Sequence, residues 1–242
     1  MFNKWRKYSY AAQKSQWLFI RWIFIWIVVF FLLYNLVTVF FFSMWVLENE
    51  TMLPGLHRGD RLILSSFGFN RLILQNTGTN RSIPFRRGHI VLVDMALKEK
   101  KNIFIGFWDA LVRFFTAQQV NITDQGEHVF VKRVIALPGD EISMTQFVLR
   151  VKPQNDTYSY TEFELSDRPY DITIPQVPAL WDESLPFSGN IDPRVLGDDE
   201  CFVLSDDRSN TNDSRTWGPV STALITGRVL FRYWPLNRLG RP

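Results

Sequence analysis

Lys132 stands in the run Phe130-Val131-Lys132-Arg133-Val134-Ile135-Ala136, two cations among apolar and β-branched residues. Read as a strand, the run puts Lys132 on one face with Phe130 and Val134. Arg133 turns to the other face with Val131 and Ile135. On a half-exposed strand such a lysine is an ordinary surface cation. Held against apolar neighbours it loses solvation, its ammonium pKa falls, and it becomes a candidate general base. Hydrolysis of a peptide bond needs a nucleophile, a base and a donor for the developing oxyanion. A histidine triad is unsupported, because the chain has only His57, His89 and His128 and no G-x-S-x-G elbow. The single cysteine, Cys201, can form no intrachain disulfide and excludes a multi-cysteine zinc site. No metal and no organic cofactor is implied.

Lys132 belongs to one of four blocks. The first is Thr51-Met52-Leu53-Pro54-Gly55-Leu56-His57-Arg58-Gly59-Asp60. The second is Arg86-Arg87-Gly88-His89-Ile90-Val91-Leu92-Val93. The third runs from Val131 through Pro138-Gly139-Asp140 to Ile142. The fourth is Ser205-Asp206-Asp207-Arg208-Ser209-Asn210-Thr211-Asn212-Asp213-Ser214-Arg215-Thr216-Trp217-Gly218. In this order they resemble the type I signal peptidase (leader peptidase) family. Its blocks read S-M-x-P-T-L-x-x-G-D, R-G-D-I-V, K-R-x-x-G-x-P-G-D and G-D-N-R-x-x-S-x-D-S-R-x-W-G. The third and fourth are long and specific, and the ending Arg232-Tyr233-Trp234-Pro235-Leu236 fits as well. The resemblance does not reach segments 95–125 and 155–190.

The resemblance implies a role for each matching position. Thr51 takes the place of the nucleophilic serine. It keeps the hydroxyl but adds a β-methyl that restricts χ1, so both a slowed enzyme and an inactive relative stay open. Lys132 is the implied base. Thr211 stands for the serine hydroxyl that orients the lysine. Asn49, two residues upstream of Thr51, is the implied side-chain donor to the oxyanion beside the Thr51 backbone N–H. Asp213 and Arg215 match a bracing ion pair. Met52 and Pro54 are placed at the substrate, which the family cuts after an A-x-A pattern; core packing is the competing role for Met52. Ser205, Asp207 and His89 replace a glycine, an asparagine and an aspartate of the pattern, changes expected to touch turns and support.

Other elements must hold these residues. Trp22 to Phe42 reads WIFIWIVVFFLLYNLVTVFFF, without a charge, and about 20 apolar residues cross a bilayer core as a helix. It is too long for a secretory leader and no small-x-small site follows it. Lys4, Arg6, Lys7, Lys14 and Arg21 precede it, and Glu48 and Glu50 follow, so the N-terminus is expected in the cytoplasm. Trp17, Trp22 and Trp45 suit the interfacial belts. The net charge of +3, with no later basic stripe, gives no nucleic-acid footprint. After Leu47 come short β-rich runs at 61–64, 89–93, 128–136, 201–204 and 227–234, bounded by turns such as Gly59-Asp60 and Pro138-Gly139-Asp140. Ile103 to Gln119 has helical periodicity with a Phe/Trp face, to be packed on the domain or laid on the membrane.

The expected protein is mostly β: a cytoplasmic basic segment 1–21, a transmembrane anchor 22–47, and an antiparallel β-domain 48–242 on the outer face of the cell membrane. The expected activity is removal of signal peptides from exported preproteins by a Thr51/Lys132 dyad, with signal peptides and the lipid bilayer as partners and no nucleic acid. A catalytically inactive, membrane-anchored accessory protein is the alternative. A self-cleaving LexA-like regulator fits less well, because the chain has an anchor and no DNA-binding segment.

Overall fold

A computed structural model describes residues 17–34, 42–66, 83–95, 112, 128–176 and 189–242. The chain divides into two compact units. The first comprises 1–39 and 101–123. Within it helix α1 covers Trp17–Tyr34, is long and apolar enough to cross a bilayer, and buries none of its residues. Trp22, Trp26 and Phe30 stack along one side, with ring centroids 5.6 and 6.1 Å apart, as the spacing of four on a helix requires. Apart from Val112, the segment 103–119 lies outside the described residues.

The second unit, Phe40–Lys100 with Asp124–Pro242, is a pair of antiparallel sheets. The larger has seven strands: β1 (Phe42–Val46), β2 (Arg61–Ser66), β3 (Ile90–Asp94), β4 (Val129–Ala136), β9 (Glu200–Leu204), β10 (Val220–Ser221) and β11 (Ile225–Trp234). Their order is β1-β2-β11-β3-β4-β9-β10. The smaller holds β5 (Glu141–Thr145), β6 (Val148–Lys152), β7 (Tyr160–Thr161) and β8 (Ile191–Val195), in the order β7-β6-β5-β8. Pro193 lies in β8, an edge strand, where a missing N–H costs no ladder bond on the open side.

The five β-rich runs of the sequence became β2, β3, β4, β9 and β11 with ends shifted by two residues at most. The anchor boundary differs. Among the described residues the helix covers Trp17–Tyr34, so it includes residues before Trp22, and Phe42–Val46 pairs with Ser65–Arg61 as β1 instead of finishing the span. Trp45, expected in an interfacial belt, lies in this strand and packs on a core cluster. Met44-Trp45-Val46-Leu47 is a short apolar run that suits a strand as well as a helix, and β2 offers an edge to pair with. Segment 155–190, which the resemblance does not reach, supplies β7, and β8 begins at Ile191.

Three apolar clusters hold the unit. Val91, Val93, Val134, Cys201, Val203 and Ile225 form one, and Ile135, Ile142, Leu149, Val151, Phe202 and Leu204 join the two sheets. Met52, Leu56, Leu62, Leu64, Ile90 and Val131 form the third. From Val131 onward every residue of β4 is buried, so both of its faces are covered. Gly88 needs its lack of a side chain: its φ is +83°, and a Cβ would stand 2.1 Å from Ser166 Oγ.

Candidate functional site

Strand β4 brings Lys132 into the middle of the large sheet, paired with Val91 of β3. Its side chain is fully buried. Trp217 and Phe130 flank it, with Nζ 5.7 and 6.0 Å from their ring centroids, and the two rings pack on each other at 4.9 Å. Burial in this aromatic cleft lowers the ammonium pKa to about 8; the nearby Asp213 carboxylate raises it and the Arg215 guanidinium lowers it again. The apolar-face reading of Lys132 is therefore the one the fold adopts, and the surface-cation reading is not.

The amine donates a hydrogen bond of 2.8 Å to Ser205 Oγ, itself fully buried. Thr211 was the hydroxyl expected in this place. The Thr211 carbonyl accepts from Thr216 Oγ1, at 2.5 Å, and no bond joins its hydroxyl to Lys132 among the described contacts. Ser205 begins the fourth block immediately after β9, so its side chain leaves the sheet beside β4, whereas Thr211 is six residues further along a turn. A position expected to affect turns and support thus supplies the hydroxyl at the lysine.

Thr51 lies in the turn after β1 and is 8% exposed. Its carbonyl accepts the Asp207 N–H at 3.1 Å, which docks the first block on the fourth two residues from Ser205. A small hollow beside it is lined by Trp45, Asn49, Thr51, Phe130 and Val131. Thr51 thus reaches β4 through Phe130 and Val131, and the Lys132–Ser205 contact lies two residues from the backbone bond that holds Thr51. No hydrogen bond links the Thr51 and Lys132 side chains among the described contacts; the bond to the lysine is made by Ser205. Asn49 is exposed and shares the hollow with Thr51. Met52 is completely buried among Leu47, Leu56 and Leu62 and does not line the hollow, so core packing is its observed role. Pro54 is exposed, after a cis peptide bond.

Asp213 and Arg215 form a bidentate pair, with Nε–Oδ1 at 2.9 Å and Nη2–Oδ2 at 2.8 Å. Burial alone would raise the Asp213 pKa, but the Arg215 hydrogen bond and charge and two backbone donors hold it below the usual carboxylate range. Asp213 Oδ2 also accepts the Ser205 N–H at 3.0 Å, and Arg215 Nη1 reaches the Arg208 carbonyl at 2.8 Å. The pair thus fixes the backbone of the residue that touches Lys132. A surface pair worth little is excluded by its burial.

Similar bridges stitch the other blocks. Asp60 accepts from Arg232 at 3.2 Å and Arg238 at 2.8 Å, tying the first block to the chain's end. Arg87 clasps Asp140 through three bonds of 2.7–3.0 Å, tying the second block to the Pro-Gly-Asp turn. Arg133 holds Asp206 at 2.6 and 2.8 Å, and Arg208 meets Glu162 at 2.5 Å with both side chains buried. Glu162 comes from segment 155–190, where no motif marked it. Trp234 is 47% exposed, while Trp217 is anchored by its indole N–H to Asn212 Oδ1 at 2.8 Å. Among the described residues no group of three or more His, Cys, Asp or Glu side chains is placed to hold a metal ion.

A mostly antiparallel β-unit with a buried lysine bonded to a serine, on a chain that also carries an apolar helix long enough to cross a bilayer, is the combination that comparison with known proteins identifies. The family model "Signal peptidase, peptidase S26" matches residues 19–234, and the chain belongs to that family. It is 29% identical over 198 residues to "Signal peptidase I" of Leptolyngbya laminosa, covering 80% of this chain and 70% of that one. It is 27% identical over 202 residues to "Signal peptidase I" of Bacillus caldolyticus, covering 82% and 83%. "Probable signal peptidase I-1" of Synechocystis is 25% identical over 195 residues, covering 81% and 72%.

Proposed function

We propose that this chain is a membrane-bound endopeptidase that removes N-terminal signal peptides from exported preproteins, with Thr51 as nucleophile and Lys132 as base. The observation that carries the reading is the buried Lys132 amine, its pKa lowered to about 8, on the strand whose Phe130 and Val131 share a hollow with Thr51. At pH 8 roughly half of such an amine is neutral, enough for general-base work.

Neutral Lys132 Nζ takes the proton of Thr51 Oγ as the oxygen attacks the scissile carbonyl carbon. The Thr51 backbone N–H and the Asn49 amide stabilise the oxyanion. The C–N bond breaks, the leaving amine takes the proton from Lys132, and a Thr51 ester remains. Water then attacks the ester carbonyl as Lys132 takes its proton; the acyl C–O bond breaks, Lys132 returns that proton to the Thr51 oxygen, and the acyl group leaves as a carboxylic acid. Ser205 holds Nζ on its far side and directs the lone pair at Thr51. Helix α1 anchors the chain in the cell membrane. The basic residues before it place the N-terminus in the cytoplasm and the β-unit outside.

A second reading is an inactive, anchored binding or accessory protein. It is favoured by threonine at position 51 and by the bond of Lys132 to Ser205 in place of Thr51. Purified full-length protein in detergent, incubated with an A-x-A preprotein, separates the two. Thr51→Ser keeps or raises cleavage, because it retains the hydroxyl and frees χ1. Thr51→Val preserves the shape and abolishes cleavage. If wild type and Thr51→Ser are both inert on several preproteins while folded, the accessory reading stands. If Thr51→Val still cleaves, the nucleophile lies elsewhere.

A further inference from the structure

On the large sheet, well separated in sequence from Thr51, strands β11 and β3 part company. Their ladder ends at the pair Arg228–Val91. Beyond it the start of β3 stays with β4, where the Gly88 N–H donates to the Val134 carbonyl at 2.7 Å and the Val134 N–H to the His89 carbonyl at 2.9 Å. Strand β11 stays with β2, pairing Phe231 with Ile63. The gap between them opens into a bowl of about 950 Å³. Its floor includes Ile90, Val229 and Phe231.

The rim is cationic. Arg86, His89, Arg168, Arg228 and Arg241 line it, with Asp167 as the carboxylate side chain among them. Asp167 sits 3.8 Å from both Arg86 and His89 Nε2, loose distances at an exposed group. Arg133 also lines the bowl but is neutralised by Asp206. Among the described residues no carboxylate lies within ion-pair distance of Arg168, Arg228 or Arg241. His89 Nδ1 accepts the Arg86 N–H at 2.9 Å, so the neutral ring carries its proton on Nε2, a donor on the Asp167 side. Burial, then Arg228, lower the His89 pKa; Asp167 raises it, and Arg86 and Arg168 lower it further. The charges therefore converge on one place.

We infer that this bowl is a binding site for a phosphate-bearing amphiphile, the arginine rim taking the phosphate and the apolar floor the adjoining hydrocarbon. Guanidinium forks match phosphate oxygens bidentately, and several such forks line this one opening. The volume, near the upper end of small-molecule pockets, exceeds what inorganic phosphate fills. The site is independent of the Thr51/Lys132 reading and survives if that reading fails.

The test uses the full chain in a neutral detergent. Native mass spectrometry with short-chain phosphatidylglycerol, short-chain phosphatidylcholine and inorganic phosphate gives the affinities. NMR of the three imidazoles gives the site, with His57 and His128 as internal references. Phosphatidylglycerol binds in preference to phosphatidylcholine and raises the His89 pKa. Arg168→Gln and Arg228→Gln, at exposed and half-buried positions, each weaken binding about tenfold, the loss of one charge-assisted contact. Inorganic phosphate that shifts His89 as strongly as the lipid keeps the phosphate chemistry but assigns a free anion as the ligand. Unchanged affinity in the folded double variant, or no response of His89 to either probe, overturns the site.

Discussion

Replacing Lys132 with methionine tests the central physical claim without relying on any substrate. The ordinary lysine pKa of 10.5 falls to about 8 in the folded protein, chiefly through burial. At about 1.4 kcal/mol per pH unit, that displacement makes the buried ammonium cost the fold about 3 kcal/mol. The sign follows from proton counts. Between pH 8 and 10.5 the unfolded chain holds more of the proton than the folded one, so wild-type stability rises with pH across this window. Below pH 8 both states are protonated and the cost is fully present; above 10.5 it is gone. Lys132→Met fills similar space without a charge. It leaves Ser205 Oγ without its donor, an offset of about 1 kcal/mol that does not vary with pH. The stability of the variant minus that of wild type should therefore fall by about 3 kcal/mol between pH 7 and pH 11. Urea unfolding of both proteins in the same micelles, followed by tryptophan fluorescence across that range, measures it. A difference that stays flat with pH would refute the buried-base argument, whatever the variant does to activity. Processing should be lost in this variant at every pH, and in wild type it should rise along an acid limb near pH 8.

Three further outcomes follow from the same geometry. Arg215→Gln removes a charge that lowers the Lys132 pKa, so the acid limb of processing moves to higher pH; Asp213→Asn removes one that raises it and moves the limb down. Limbs that do not move in opposite directions, in pH–rate profiles of the two folded variants, would separate the ion pair from the lysine. Ser205→Ala should lower kcat about tenfold with KM unchanged, the worth of one positioning hydrogen bond, and full activity would leave Ser205 a packing role. Tyr158→Cys adds a thiol at a site 70% exposed, while Cys201 is fully buried with its thiol pKa pushed up to about 12, so a membrane-impermeant maleimide reads one position. Labelling from outside intact cells is expected; labelling only after lysis would reverse the topology.

What the amino-acid order determined about this protein is local or periodic. The charge-free run announced a bilayer-length helix, because length and hydropathy are additive along a chain. Alternation announced β2, β3, β4, β9 and β11, and the four blocks carried the family and singled out Thr51, Lys132, Asp213 and Arg215 as candidates. The side assigned to Lys132 also followed from strand periodicity, but whether that face was wet or dry did not. Burial depends on what packs there, and Trp217 comes from 85 positions away in sequence. The tertiary structure decided that face, and it decided which hydroxyl meets the amine. Thr211 and Ser205 were both available in the fourth block; the exit of the chain from β9 brings Ser205 to Lys132, and no bond from the Thr211 hydroxyl to the amine is among the described contacts. It turned 42–46 from the end of an anchor into strand β1, because pairing with β2 competes with a lipid-compatible helix for the same apolar residues. It also gave Arg208 its partner in Glu162, and it gathered Arg86, Arg168, Arg228 and Arg241 around one gap in the sheet. Those residues are scattered over 156 positions, and only the divergence of β3 from β11, a property of strand pairing rather than of any short stretch, brings them together.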